Sequence, residues 1–242
     1  MNCDMIKAEH IGKKYGGKTI LRDVSLHVRQ GEIYGLIGKN GSGKTTLLRI
    51  LTGLIQKFNG TVSIAKAGNN ESRISAVIND PSLFLNLTAL DNLNEQTVLL
   101  GLHDSDKIEE ILKTVGLEGS GDKLVRNFSL GMIQRLKLAM ALLESPDILI
   151  LDEPVNGLDP DGIADLRELL LDLNRTGGIT IVISSHILSE LEQIVTCFGI
   201  LHNGEIVQEL NMQDALQNGK SIENIYMQYT KGGYSNDGHM ER

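Results

Sequence analysis

Gly38-Lys39-Asn40-Gly41-Ser42-Gly43-Lys44-Thr45 decides the fold, because this Gly-x-x-x-x-Gly-Lys-Thr spacing sits between an apolar run, Ile33 to Ile37, and a helix-like run, Thr46 to Leu51. A strand that ends in a glycine-rich turn and restarts as a helix leaves successive backbone N–H groups aimed into one concavity. The positive end of the helix makes that concavity attractive to phosphate. Lys44 can reach terminal phosphates as a point charge, and the Thr45 hydroxyl is short enough to ligate a magnesium ion between them. The spacing predicts a nucleoside triphosphate site formed by Gly38, Lys39, Asn40, Gly41, Ser42, Gly43, Lys44, Thr45 and Thr46.

A second stretch supplies the chemistry such a site needs. Ile148-Leu149-Ile150-Leu151 is an apolar strand that delivers Asp152 and Glu153 at its C-terminal end, the edge of a parallel sheet where ligands bind. Asp152 is placed to hold magnesium directly or through water, and Glu153, one residue further out, to polarise the water that attacks the terminal phosphate. His186 follows the next apolar strand, Ile179 to Ile183, and so shares that edge, from which it could hydrogen-bond the terminal phosphate and sense its loss. His10, His27, His103, His202 and His239 have no such placement and read as structural.

Hydrophobic patterning predicts two kinds of sheet. Alternation at Val24, Leu26 and Val28, and again at Val62 and Ile64, fits half-solvated strands, so a small antiparallel sheet is expected from about residues 4 to 30 and 60 to 78. The continuous runs Ile33 to Ile37 and Ile148 to Leu151 fit a parallel sheet covered by helices on both faces. Between about residues 85 and 144 the spacing turns helical. Thr88 and Ser105 are the expected caps, Ile108, Ile111, Leu112 and Val115 share a face, and Gly116 is the stop. Further helices are expected over Asp161 to Asn174 and Ile187 to Val195, and a hairpin turn at His202-Asn203-Gly204-Glu205. The rhythm is lost after Leu210, so a main domain over residues 1 to 215 and a partly disordered tail over 216 to 242 are expected.

Composition bounds the partners. A formal net charge of −8 disfavours a nucleic-acid partner gripped by phosphate neutralisation. Cys3 and Cys197 form no paired or zinc-like spacing and no charged-then-apolar leader is present, which predicts free thiols in the cytosol. No apolar run approaches the roughly twenty residues of a membrane-spanning helix, so any membrane association is expected to run through another subunit rather than by direct insertion.

Together these motifs resemble the ATP-binding subunit of an ABC transporter, over about residues 4 to 215. The resemblance implies an α/β fold: a P-loop NTPase core with a parallel sheet, a small antiparallel β subdomain and an all-helical insert. It assigns Tyr15 to stacking on adenine, Asp159 to a dimer contact and His186 to the family's switch histidine. The family signature, usually Leu-Ser-Gly-Gly-Gln followed by a variable residue and Gln-Arg, is Phe128-Ser129-Leu130-Gly131-Met132-Ile133-Gln134-Arg135 here, departing at Leu130 and Met132. Ser129 is a good N-cap and Gly131 keeps the backbone accessible, so the following helix can still present N–H groups to a phosphate. Asn79 stands where the family carries a glutamine, and contact with magnesium or the attacking water through a bridging water is expected of it.

The resemblance implies ATP and magnesium as cofactors and ATP hydrolysis as the reaction. It also implies a homodimer or a heterodimer with another ATP-binding subunit, transmembrane permease subunits as partners, and a peripheral place on the inner face of the cell membrane. The Ser-Leu-Gly-Met form, Asn79-Asp80-Pro81 and Asn86-Leu87-Thr88 resemble the bacitracin-resistance and lantibiotic-immunity exporters. A soluble ATPase of the same superfamily acting on a scaffold, as in iron-sulfur cluster assembly, remains the alternative, and a non-catalytic nucleotide-binding regulator a further one.

Overall fold

The computed structural model describes residues 4–67, 70–78, 82–102 and 105–231. β1 (Asp4–Tyr15), β2 (Lys18–Arg29), β3 (Ile33–Ile37), α1 (Lys44–Leu51) and β4 (Asn59–Ile64) come first. A short ladder of β5 (Lys66–Ala67) and β6 (Asn70–Glu71) and the strand β7 (Ile74–Val77) lead to α2 (Ala89–Leu100), α3 (Ser105–Thr114) and α4 (Leu130–Leu142). Then follow β8 (Ile148–Asp152), α5 (Pro160–Arg175), β9 (Thr180–Ser185), α6 (Leu188–Leu191), β10 (Cys197–His202), β11 (Glu205–Asn211), α7 (Met212–Gln217) and α8 (Ile222–Lys231).

Besides the short β5–β6 ladder, the two kinds of sheet that the patterning predicts both form. β2, β1 and β4 make an antiparallel sheet in that order, while the larger sheet runs β11-β10-β3-β9-β8-β7, parallel throughout except for the β10–β11 hairpin. That hairpin closes at Asn203-Gly204, where His202 pairs with Glu205, the expected turn. Period-2 alternation divides the core between the two faces of the large sheet. Tyr34, Leu36, Ile148, Ile150 and Val182 pack with α1 and the antiparallel sheet. Ile33, Ile37, Leu149, Leu151, Ile181 and Ile183 pack with α2 through α6.

The helical insert forms where expected. Thr88 caps α2 in a capping box with Asp91, Ser105 opens α3, and Ile108, Ile111, Leu112 and Val115 are all buried. Cys197 is free and half-buried; burial pushes its thiol up to about 12, so it stays protonated and unreactive, whereas Cys3 lies outside the described residues.

Three expectations are corrected. Ile74–Val77 does not extend the antiparallel sheet but pairs in parallel with β8, Ile74 against Ile148, at the edge of the large sheet. So short a run carries no pattern that chooses between the sheets. The helix expected over Ile187 to Val195 stops at Leu191, because Thr196 exchanges hydrogen bonds with the backbone of Ile33 and draws the chain into β10. Within the stretch expected to be a partly disordered tail, residues 222 to 231 form α8, whose Ile222 and Ile225 are buried and whose Tyr229 donates to Gln208 at 2.6 Å, while residues 232 to 242 lie outside the described residues. The backbone N–H of Ile222 also donates to Glu192 beyond α6. Truncating Ile225 to alanine is expected to destabilise the protein by about 2–5 kcal/mol, the usual cost of such a cavity, as a lower midpoint in urea unfolding.

Candidate active site

Parallel register gathers the predicted residues. Ile37 pairs with Ser185 and Asp152 with Ser184, so β3, β9 and β8 end in step and release their chains at one edge. The phosphate loop leaves β3 there, Glu153 leaves β8, and His186 leaves β9.

The loop requires its glycines. A Cβ on Gly38 would lie 2.5 Å from Ser42 Oγ and 2.6 Å from the Leu201 carbonyl, and Gly43 has φ 112 with Leu21 Cδ2 2.8 Å from a Cβ. The loop can therefore press against β10 and β2 only as bare backbone. Lys39 and Asn40 are exposed on its rim, with Gly41 at φ 82 turning the chain toward α1, on whose first turn Thr46 sits.

Lys44 opens α1 with its side chain only 4% exposed. Its Nζ donates to the carbonyls of Gly38 at 2.7 Å and Lys39 at 3.3 Å, and lies 3.0 Å from Glu153 Oε1. Next along the helix, Thr45 Oγ1 donates to Asp152 Oδ2 at 2.6 Å, and Ser184 Oγ donates to the other oxygen at 2.6 Å. Glu153 Oε2 lies 2.7 Å from His186 Nδ1 and accepts from Asn156 Nδ2 at 2.6 Å. Burial, the largest single influence on Glu153, pushes its pKa up, but hydrogen bonds from Lys44 and Asn156, the Lys44 charge and the His186 contact together hold it below the ordinary 4.5. Glu153 is thus ionised at neutral pH and can only accept, so the hydrogen of the His186 contact belongs to Nδ1.

These residues fit a magnesium-bound triphosphate. Ser42 Oγ is buried in the loop with no hydrogen-bond partner among the described residues, an orphan of the kind a phosphate oxygen satisfies. The Thr45 hydroxyl and Asp152 carboxylate converge as hard oxygen donors suited to magnesium.

The remaining predicted residues lie elsewhere. Tyr15 ends β1 as an exposed residue, 47% accessible, with Lys13 Nζ 4.8 Å from its ring centroid. Ser129 caps α4 by accepting from the Met132 N–H at 3.3 Å. With Gly131, Gly157 and Asp159 it lines a different cavity, of about 490 Å³. Asp159 caps α5 by accepting from the Gly162 N–H at 2.9 Å. Asn79 lies outside the described residues. Sequence reasoning missed Asn156 and Ser184. A hydroxyl interrupting the apolar run of β9 beside the ligand edge was the available signal for Ser184; nothing local marked Asn156.

The lowered pKa of Glu153 carries a stability consequence. A carboxylate whose folded pKa is depressed contributes stability that is fully present above the unfolded value of 4.5 and is lost as pH falls through the lower folded value. The stability difference between the wild type and Glu153→Gln, in urea unfolding without nucleotide, should therefore be constant above that range and shrink as the pH is taken below it.

Comparison with known proteins agrees with this geometry. Residues 21–156 match the family model described as ABC transporter. The bacitracin transport ATP-binding protein BcrA of Bacillus licheniformis is 44% identical over 212 residues, 85% of this chain and 69% of that protein. The lantibiotic transport ATP-binding protein SrtF of Streptococcus pyogenes is 45% identical over 210 residues, 85% of this chain and 90% of that protein. Among solved structures, a dimeric ATP-binding cassette in a post-hydrolysis state, bound to ADP and Pi, superposes with a TM-score of 0.73 at 27% identity, covering 86% of this chain and 99% of that one. Relatives of this kind do not favour the scaffold ATPase alternative. With more than half its length matched by the family model and 44–45% identity to these transport proteins over 85% of the chain, the chain belongs to the ABC transporter family as an ATP-binding subunit.

Proposed function

We propose that this subunit hydrolyses ATP to drive an exporter whose membrane-spanning part is made by separate permease subunits. The observation that carries the reading is the convergence of Lys44, Asp152, Glu153 and His186 on one sheet edge beside the orphaned Ser42 hydroxyl. Phosphates entering the loop meet its N–H groups and draw Lys44 Nζ away from Glu153. That exchange frees Oε1, while Asn156 and His186 keep hold of Oε2 and so preserve the orientation of the carboxylate. Oε1 then accepts a hydrogen from a water placed for in-line attack on the terminal phosphorus; the new oxygen–phosphorus bond forms as the bond to ADP breaks. Thr45 and Asp152 would hold magnesium, whose charge would offset that of the phosphates.

Tyr15 offers its exposed ring to the adenine. Ser129 and Gly131 stand at the N-terminus of α4, where N–H groups and the helix dipole favour phosphate, but they line a cavity apart from the loop of their own chain. A head-to-tail pair, of two copies or with a related subunit, lets each signature segment complete the site of the other, with Asp159 at the contact. That a similar solved cassette bound to ADP and Pi is dimeric supports pairing.

Among the described residues no helix is long and apolar enough to cross a membrane. We place the subunit on the cytoplasmic face, bound to its permeases. Since BcrA and SrtF are named for bacitracin and lantibiotic transport, the exported molecule is read as an antimicrobial peptide or similar amphiphile.

Two substitutions test the reading by equilibrium binding and phosphate release. Lys44→Ala is expected to weaken magnesium-dependent ATP binding by about tenfold to a hundredfold, in line with roughly 1.5–3 kcal/mol for hydrogen bonds to a charged group. Glu153→Gln should retain ATP, lose hydrolysis by about 100- to 10,000-fold as expected on removal of a general base, and accumulate as a dimer in size-exclusion chromatography. Unchanged turnover in Glu153→Gln removes that residue from the chemistry.

A further inference from the structure

Ser184 is a wholly buried hydroxyl near the C-terminal end of β9, paired in register with Asp152. Both of its hydrogen-bonding roles are spent on the two carboxylate residues. Its Oγ donates to Asp152 Oδ1 at 2.6 Å and accepts from the backbone N–H of Glu153 at 2.9 Å. The Ser184 carbonyl also accepts from that N–H, at 3.2 Å. Glu153 sits at φ 50, a left-handed conformation that costs a side-chain-bearing residue energy and persists only where its surroundings impose it.

We propose that Ser184 is the positioning residue that sets the Asp152 carboxylate plane and the Glu153 backbone together, an inference that rests on the ATP-hydrolysis reading above. A carboxylate held at one oxygen still pivots about its last torsion. Held at both, by Thr45 from α1 and Ser184 from β9, it has one orientation. The Thr45 hydroxyl would be taken up as a ligand when magnesium is bound, which would leave Ser184 as the donor that stays on Asp152. The same oxygen, as an acceptor, pulls the chain after β8 into the turn that aims Glu153 at Lys44 and His186. One buried hydroxyl thus links the group that would hold the metal to the group that would orient water, although Ser184 itself meets neither nucleotide nor water.

Ser184→Ala removes the hydroxyl with little change in volume, and Ser184→Cys adds a little volume and replaces the hydroxyl with a weak donor. Affinity for a non-hydrolysable ATP analogue is measured with magnesium and with a chelator, alongside turnover and thermal unfolding. Both variants are expected to unfold cooperatively and to bind the analogue as the wild type does in chelator. The affinity gained on adding magnesium and the turnover number should both fall by about 10- to 100-fold, the usual cost of losing a hydrogen bond to a metal-holding residue. If the wild type itself gains no affinity from magnesium, the nucleotide reading fails and this one with it. Where the wild type gains affinity and turns over but either variant matches it on both measurements, Ser184 has no positioning role and the ATPase reading stands.

Discussion

Parallel pairing of β3, β9 and β8 is the constraint on which the rest depends, because strands that run the same way must release their chains at the same edge. Residues 38 to 45, 152 to 153 and 184 to 186 are far apart along the chain, yet each lies at a C-terminal strand end. No loop has to reach for the others. The register in which Asp152 faces Ser184 and Ile37 faces Ser185 sets the spacing, and the burial of alternate side chains on opposite faces holds that register.

Electrostatics then decide the state of the site. A lysine as buried as Lys44 is costly unless it is paired and hydrogen-bonded, and here two loop carbonyls and Glu153 meet it. Glu153 is subject to opposing influences: burial favours its neutral form, while Lys44, Asn156 and His186 favour the carboxylate and prevail. The outcome is an ion pair at the mouth of the phosphate loop that a polyanion can displace, because phosphate offers Lys44 more negative charge than one carboxylate does. The network neutralises a buried lysine, and in the proposed reaction it would also serve as the pre-set acceptor.

Local strength separated what the sequence disclosed from what it concealed. Ile33 to Ile37 and Ile148 to Leu151 are continuous apolar runs, and a glycine-rich turn or an acid pair after such a run has few alternative readings. Ile74 to Val77 is short and carries no pattern that chooses between the sheets; only the partner strand β8 settled which. In α8 a few apolar residues, Ile222, Ile225, Tyr226 and Tyr229, are spaced among polar ones, too weak a signal before the surface they cover was known.

By itself the sequence determined the two-sheet α/β architecture, the helical insert and the candidate phosphate, acid and histidine positions, because each is written in residues adjacent in the chain. Only the tertiary structure decided that Lys44 pairs with Glu153, that Asn156 and Ser184 belong to the same network, and that Ser129 and Asp159 lie together in another cavity. Those are contacts between elements, set by strand order and register. A linear pattern of apolar and polar residues specifies which face of an element is buried, but leaves open which partner covers it.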